Sequence, residues 1–171
     1  MDAKQLRAMQ SPLKQKYRDD PGSARTPVSA AGTFEDSGIT ATVQTWAGPV
    51  RAGQHPATGG DRQDACSANV LMEALCGCAG VTSRSVATVM GIEIREATIR
   101  VDGVFDARGT LGVDKAVPVG VTDVVVTIEL DTDADEATLD KLGSLTERFC
   151  VVGQSLKQLP KFVVRRSTSA S

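Results

Sequence analysis

The chain has 171 residues, enough for one domain of ordinary size whose core needs no covalent staples. Hydrophobic residues make up 41% and charged residues 23%, as in a water-soluble globular chain, while aromatics are only 4%, so the core is expected to be aliphatic. The 19 Lys plus Arg against 21 Asp plus Glu give a net charge of −2, which argues against a nucleic-acid partner.

No stretch approaches ~18 consecutive apolar residues, so a transmembrane helix is excluded. Residues 1–20 are polar and lack the apolar centre of a secretory leader. The expected location is therefore the cytoplasm, with no membrane partner.

Residues 3–17 read as a short amphipathic helix, with Leu6, Met9 and Leu13 at helical spacing and Pro12 weakening its middle. Asp-Asp-Pro-Gly breaks it. Residues 27–33, 39–46 and 50–52 read as strands of an antiparallel meander, with a turn at 34–38. Residues 53–64 form a Gly-rich loop without the Gly-Lys-Ser/Thr ending of a phosphate-binding loop, so a plain turn is the simpler reading.

Residues 67–89 read as a helix, apolar over most of its circumference between Val70 and Val81, and stopped by Gly91. Strands are expected at 92–104 and 121–130, with a loop at 107–120 between them. Thr132 or Asp133 is expected to cap a helix over 135–149, whose buried stripe is Leu139, Leu142, Leu145 and Phe149. A short helix over 151–159, a strand over 162–165 and a disordered tail at 167–171 complete the chain. Strands and helices without βαβ alternation argue for an α+β domain. A helix so apolar is hard to cover within a chain this small, which points to a homodimer.

The single histidine, His55, makes no multi-histidine metal site by itself, and no metal or other cofactor is expected. Four cysteines remain: Cys66, Cys76, Cys78 and Cys150. In a reducing compartment each is either a small buried apolar residue or a reactive thiol. On a helix, Thr82 stands ~40° and Ser85 ~20° round from Cys78, whereas Cys76 stands ~160° away. Cys150 lies where one helix ends and the next turn begins, a helix-end setting expected to lower its pKa.

The segment Cys66-Ser67-Ala68-Asn69-Val70-Leu71-Met72-Glu73-Ala74-Leu75-Cys76-Gly77-Cys78-Ala79-Gly80-Val81-Thr82 resembles the central-helix motif of the OsmC/Ohr family, the osmotically inducible and organic hydroperoxide resistance proteins. Phe149-Cys150-Val151-Val152-Gly153-Gln154-Ser155-Leu156 resembles that family's second cysteine motif, and the two cysteines lie 72 positions apart. Residues 55–60 and 109–120 are similar to an OsmC-like subgroup within it.

The resemblance implies an OsmC-like α+β fold with antiparallel sheets and long central helices in an intertwined homodimer. The domain would span 27–166, with 1–26 as a helical extension. It implies a thiol peroxidase for organic hydroperoxides, active against oxidative stress. Cys78 would be the peroxidatic cysteine and Cys150 the resolving one, joined in a reversible disulfide that an external dithiol reduces. The family's activating arginine has no counterpart in Phe34-Glu35-Asp36-Ser37-Gly38, and Ala68 stands where its carboxylate would be. Glu73, ~140° round the helix from Cys78, is a candidate supporting residue across a dimer, or simply a buried partner for another polar group. His55 is a second supporting candidate, or else a surface histidine. The competing reading is a non-enzymatic relative that binds a small apolar or thiol ligand at the dimer interface.

Overall fold

The computed structural model describes residues 1–34 and 37–167. Helix α1 (Ala3–Asp19) runs unbroken through Pro12. It opens on a capping box, in which Asp2 accepts from the Gln5 amide and the Gln5 side chain accepts from the Asp2 amide. These two bonds satisfy donors that the first turn otherwise leaves unpaired.

The expected apolar stripe of α1 is not seated. Met9 is 61% and Leu13 48% exposed, while Ala3, Leu6 and Gln10 are the half-buried positions.

The first sheet contains β1 (Ala31–Thr33), β2 (Thr40–Thr45), β3 (Gly48–Gly53) and β4 (Ala65–Cys66), in that spatial order. β1, β2 and β3 form the expected antiparallel meander. Glu35 and Asp36, at the expected turn before β2, lie outside the described residues, as do residues 168–171 of the expected tail. The segment 27–30 does not join β1.

Helix α2 (Ser67–Met90) follows β4 directly. Gly91, at φ +72°, ends it in the left-handed conformation that glycine adopts without a Cβ penalty. The second sheet contains β5 (Glu96–Val104), β6 (Thr122–Asp131) and β7 (Lys161–Arg166), with β6 in the middle. Helix α3 (Ala107–Thr110) is a single turn inside the expected loop. Helices α4 (Glu136–Phe149) and α5 (Val151–Gln154) lie between β6 and β7.

Not every strand pair is antiparallel. β3 pairs with β4, and β6 with β7, in parallel. Parallel neighbours need a crossover connection, and α4 with α5 supplies it for β6 and β7, forming one βαβ unit that the sequence reading did not include. The cap of α4 also differs from expectation. Asp135 accepts from the Thr138 amide at 2.8 Å. Thr132 instead donates its hydroxyl to the Glu93 carbonyl at 2.6 Å, and Asp133 accepts from Arg95 at 3.0 Å. Both earlier candidates are thus committed to the segment leading into β5.

The core lies between the second sheet and the helices α2 and α4. Val124, Val126, Ile128 and Leu130 alternate inward from β6 against Leu75, Ala79 and Ala87 of α2 and Leu139 and Leu142 of α4. This is the period-two face of a half-covered strand meeting a helical stripe. A Cβ on Gly80 would lie 2.8 Å from the Ile99 side chain, so a glycine here lets α2 approach β5 closely.

The opposite side of α2 has no such cover. Val70, Leu71, Ala74, Gly77 and Val81 are exposed, Val81 at 74%. Phe34 (85%), Ile39 (75%) and Trp46 (100%) are exposed around the first sheet.

Candidate active site

The site is set by the junction between α4 and α5. Cys150 is both the last cap of α4, donating its amide to the Thr146 carbonyl at 2.9 Å, and the residue preceding the first turn of α5. Its φ of −75° and ψ of 100° turn the chain sharply, so the α5 amides point back toward α2. The side chain is fully buried. Gly153 makes room for it: a Cβ there would lie 3.4 Å from the Cys150 Sγ and 3.5 Å from Leu75 of α2.

Cys78 faces this junction from the middle of α2. Burial pushes its thiol up, but four donors together outweigh that and bring it below the ordinary thiol value: the Val152 amide, the Cys150 thiol, the Thr82 hydroxyl and the Val151 amide. All four are neutral groups. Cys150 moves the opposite way. Burial raises it, the Gly153 amide opposes, and the neighbouring Cys78 adds to the rise, because Cys150 donates its proton to that sulfur and feels its charge.

The expected helix-end lowering at Cys150 is therefore corrected. The Gly153 and Val152 amides do lower Cys150, but burial dominates there, while the Val152 and Val151 amides also serve Cys78. Thr82, one turn after Cys78, stands where helical spacing places it. The amide donors had no sequence signal, because they depend on the bend at Cys150.

The other two cysteines stand apart from the pair. The Cys76 Sγ lies 3.9 Å from the Ile99 carbonyl of β5, on the sheet side of α2. Cys66 precedes α2 and offers no side-chain cap to it. All four cysteines are free thiols.

Glu73 and His55 come together in a hollow that neither Cys78 nor Cys150 lines. Both line a polar hollow of about 340 Å³ with Arg62, Asp64 and Cys66. The His55 Nδ1 accepts from the Ala57 amide at 3.0 Å, and its ring meets Phe105 edge-on at 5.1 Å. Glu73 is exposed. Arg62 has φ +68°, an uncommon backbone for a residue with a Cβ. Among the described residues no group of three or more His, Cys, Asp or Glu is placed to hold a metal ion, and no helix is long and apolar enough to cross a membrane.

The family model for OsmC-like proteins matches residues 60–165, well over half of the chain and inclusive of both cysteine motifs. No curated protein matches the sequence. Among solved structures, an OsmC-like protein from Mycoplasma pneumoniae superposes with a TM-score of 0.64 at 16% identity, covering 83% of this chain and 96% of that one. An organic hydroperoxide resistance protein OsmC from Legionella pneumophila gives 0.58 at 12% identity, covering 84% and 100%. The organic hydroperoxide resistance protein OhrB of Bacillus subtilis gives 0.55 at 15% identity, covering 82% and 98%. At these identities the likeness is one of fold.

Proposed function

The chain belongs to the OsmC-like family, and from that premise we propose that it is a thiol-dependent peroxidase that reduces organic hydroperoxides through Cys78 and Cys150. The observation that carries this reading is the pair of neighbouring thiols driven in opposite directions. A peroxidatic sulfur must be a thiolate, and a resolving sulfur is best kept protonated until it is needed. The names of the Legionella and Bacillus neighbours point the same way.

The Cys78 thiolate attacks the distal peroxide oxygen. The O–O bond breaks, an S–O bond forms, and the departing alkoxide takes one proton to leave as the alcohol. Cys78 is now a sulfenic acid. The Cys150 sulfur attacks it, the S–S bond forms, and hydroxide leaves as water with the Cys150 proton. An external dithiol then reduces the disulfide by two exchanges and is itself oxidised. The free thiols suit a reducing compartment, so the cytoplasm is the proposed location.

The working form is proposed to be a homodimer. The uncovered small-residue face of α2, with Gly77 at its middle, and the exposed Phe34, Ile39 and Trp46 are surfaces that a second copy would bury. Glu73 and His55 line a hollow that neither Cys78 nor Cys150 of their own chain lines, and their proposed supporting role is to complete the partner subunit's site. Residues 27–166 are proposed as the domain and 1–26 as its extension.

Consumption of cumene hydroperoxide with a dithiol tests the reading. Turnover that Cys78→Ser abolishes supports the enzyme. No turnover with any reductant, together with thermal stabilisation by small apolar ligands, overturns it in favour of a binding protein.

A further inference from the structure

Helix α1 is set apart from the rest of the chain by its charge. Residues 3–18 hold Lys4, Arg7, Lys14, Lys16 and Arg18 and no acidic residue. Beyond residue 26 the balance reverses, with 13 Lys plus Arg against 18 Asp plus Glu. Helix stability does not account for this pattern. The positive end of a helix dipole favours an acid in the first turn, yet the first turn of α1 has none and carries Lys4. All five cations are exposed, and among the described residues none of them forms an ion pair with a carboxylate.

The way α1 sits is the second observation. At ~100° per residue, Leu6, Met9, Leu13 and Tyr17 fall within an arc of ~80°. The half-buried Ala3, Leu6 and Gln10 mark the side that α1 turns to α2, so only the Leu6 edge of that arc meets the body. Met9, Leu13 and Tyr17 stay exposed, and no residue of α1 is fully buried. Lys16 flanks Met9 on the free side, ~20° round the helix.

An apolar arc among cations, with no acid between them, matches a surface that is anionic outside and apolar just beneath. The helix is ~10–12 Å across and the Debye length in 0.1 M salt is ~10 Å, so all five cations feel a charged surface against which Met9 and Leu13 lie. A nucleic-acid backbone would engage the cations and leave Met9, Leu13 and Tyr17 in water. The lack of a spanning segment, from which no membrane partner is expected, does not bear on a helix that lies in the plane of the interface.

We propose that α1 docks the protein on anionic phospholipid surfaces. Met9, Leu13 and Tyr17 enter the boundary between headgroups and acyl chains, and the lysines and arginines meet the lipid phosphates. The attachment is peripheral and reversible, and it is independent of the peroxidase reading.

The full-length protein is sedimented with vesicles of phosphatidylglycerol and, separately, of phosphatidylcholine. It should partition onto the first and not the second, and high salt should release it. Arg7→Gln/Lys16→Gln should weaken the partition by roughly fivefold or more. Met9→Gln/Leu13→Gln leaves the charge unchanged and should weaken it by roughly tenfold or more. Lys157→Gln/Lys161→Gln, which removes two exposed cations of the body, should bind as the wild type does. Both α1 variants should keep the helical circular dichroism of the wild type, because glutamine is a good helix former.

No binding to phosphatidylglycerol, equal binding to both vesicles, or a loss in the body variant as large as in Arg7→Gln/Lys16→Gln overturns the proposal. Full binding by Met9→Gln/Leu13→Gln, with equal binding to a DNA duplex, overturns it by making α1 a general polyanion contact. A Met9→Gln/Leu13→Gln protein that sediments at half the wild-type mass without lipid also overturns it, by assigning the stripe to the contact between subunits.

Discussion

Cys78 and Cys150 are neighbours that diverge chemically: at Cys78 the penalty of burial is outweighed by the donors that face it, the Val152 amide first, so its thiol is lowered from the ordinary value, while burial, with the neighbouring Cys78, raises Cys150. Two neighbouring cysteines thus differ in how readily they ionise.

The separation predicts an order of alkylation. A lowered pKa means that the thiolate persists to lower pH, so iodoacetamide should modify Cys78 at neutral pH well before Cys150. The rate at Cys78 should rise with pH, inflect below the ordinary thiol value and then level off. Mass spectrometry of digests taken across pH 5–10 reads both sites. Preferential labelling of Cys150 at neutral pH would contradict the assignment.

Oxidation should follow the same geometry. One equivalent of organic peroxide should convert the reduced protein to a Cys78–Cys150 disulfide, leaving Cys66 and Cys76 open to alkylation. Cys150→Ser should still react once and then accumulate sulfenic and sulfinic forms at Cys78, having lost the sulfur that protects it. Peptide mapping distinguishes these products from oxidation centred on Cys66.

Thr82→Val keeps the shape of the side chain but removes one donor to Cys78. A hydrogen bond to a charged group contributes about 1.5–3 kcal/mol, so peroxide reduction near neutral pH should slow by roughly tenfold or more. The pH dependence should move toward alkaline values, with little change in thermal midpoint. A loss of rate at every pH, with no such displacement, would assign Thr82 a different role.

Gly77→Arg addresses the dimer. A Cβ at Gly77 meets nothing within 4 Å in the single chain, so the subunit should keep its helical circular dichroism. A large cation in the middle of the uncovered α2 face should halve the mass seen by sedimentation. A wild-type protein that sediments as a monomer at micromolar concentration would refute the dimer outright.

Asp135→Ala removes the observed α4 cap and should lower the thermal midpoint more than Asp133→Ala, which removes only part of an exposed ion-pair cluster with Arg95. The Thr138 hydrogen bonds hold the Asp135 carboxyl below the usual carboxylate value. Its contribution is therefore complete above the unfolded-state value and disappears as pH falls through the lowered folded-state value. The difference in midpoint between wild type and Asp135→Ala should shrink correspondingly in acid.

Much of this protein was legible in its residues. The long helix from Ser67, its stop at Gly91, the alternation along β6 and, of the expected stripe Leu139, Leu142, Leu145 and Phe149, the buried Leu139 and Leu142 follow from hydrophobic period and from glycine's freedom at positive φ, which are local properties, whereas Phe149 at the end of that stripe is 55% exposed. The two cysteine motifs are local too, and Thr82 stands beside Cys78 because a helix has a fixed pitch.

What tertiary structure decided was where donors point. Whether the α5 amides serve Cys150 or Cys78 depends on the bend at Cys150 and on the bare Gly153, which together press one thiol into the interior and aim two N–H groups at the other. Whether Thr132, Asp133 or Asp135 caps α4 depends on the two rival side chains finding partners in Glu93 and Arg95, some 40 residues earlier. The parallel pairing of β7 likewise arises between segments distant along the chain. Sequence period reports which face of a segment is apolar; only the packed chain determines what that face, and each polar group beside it, will meet.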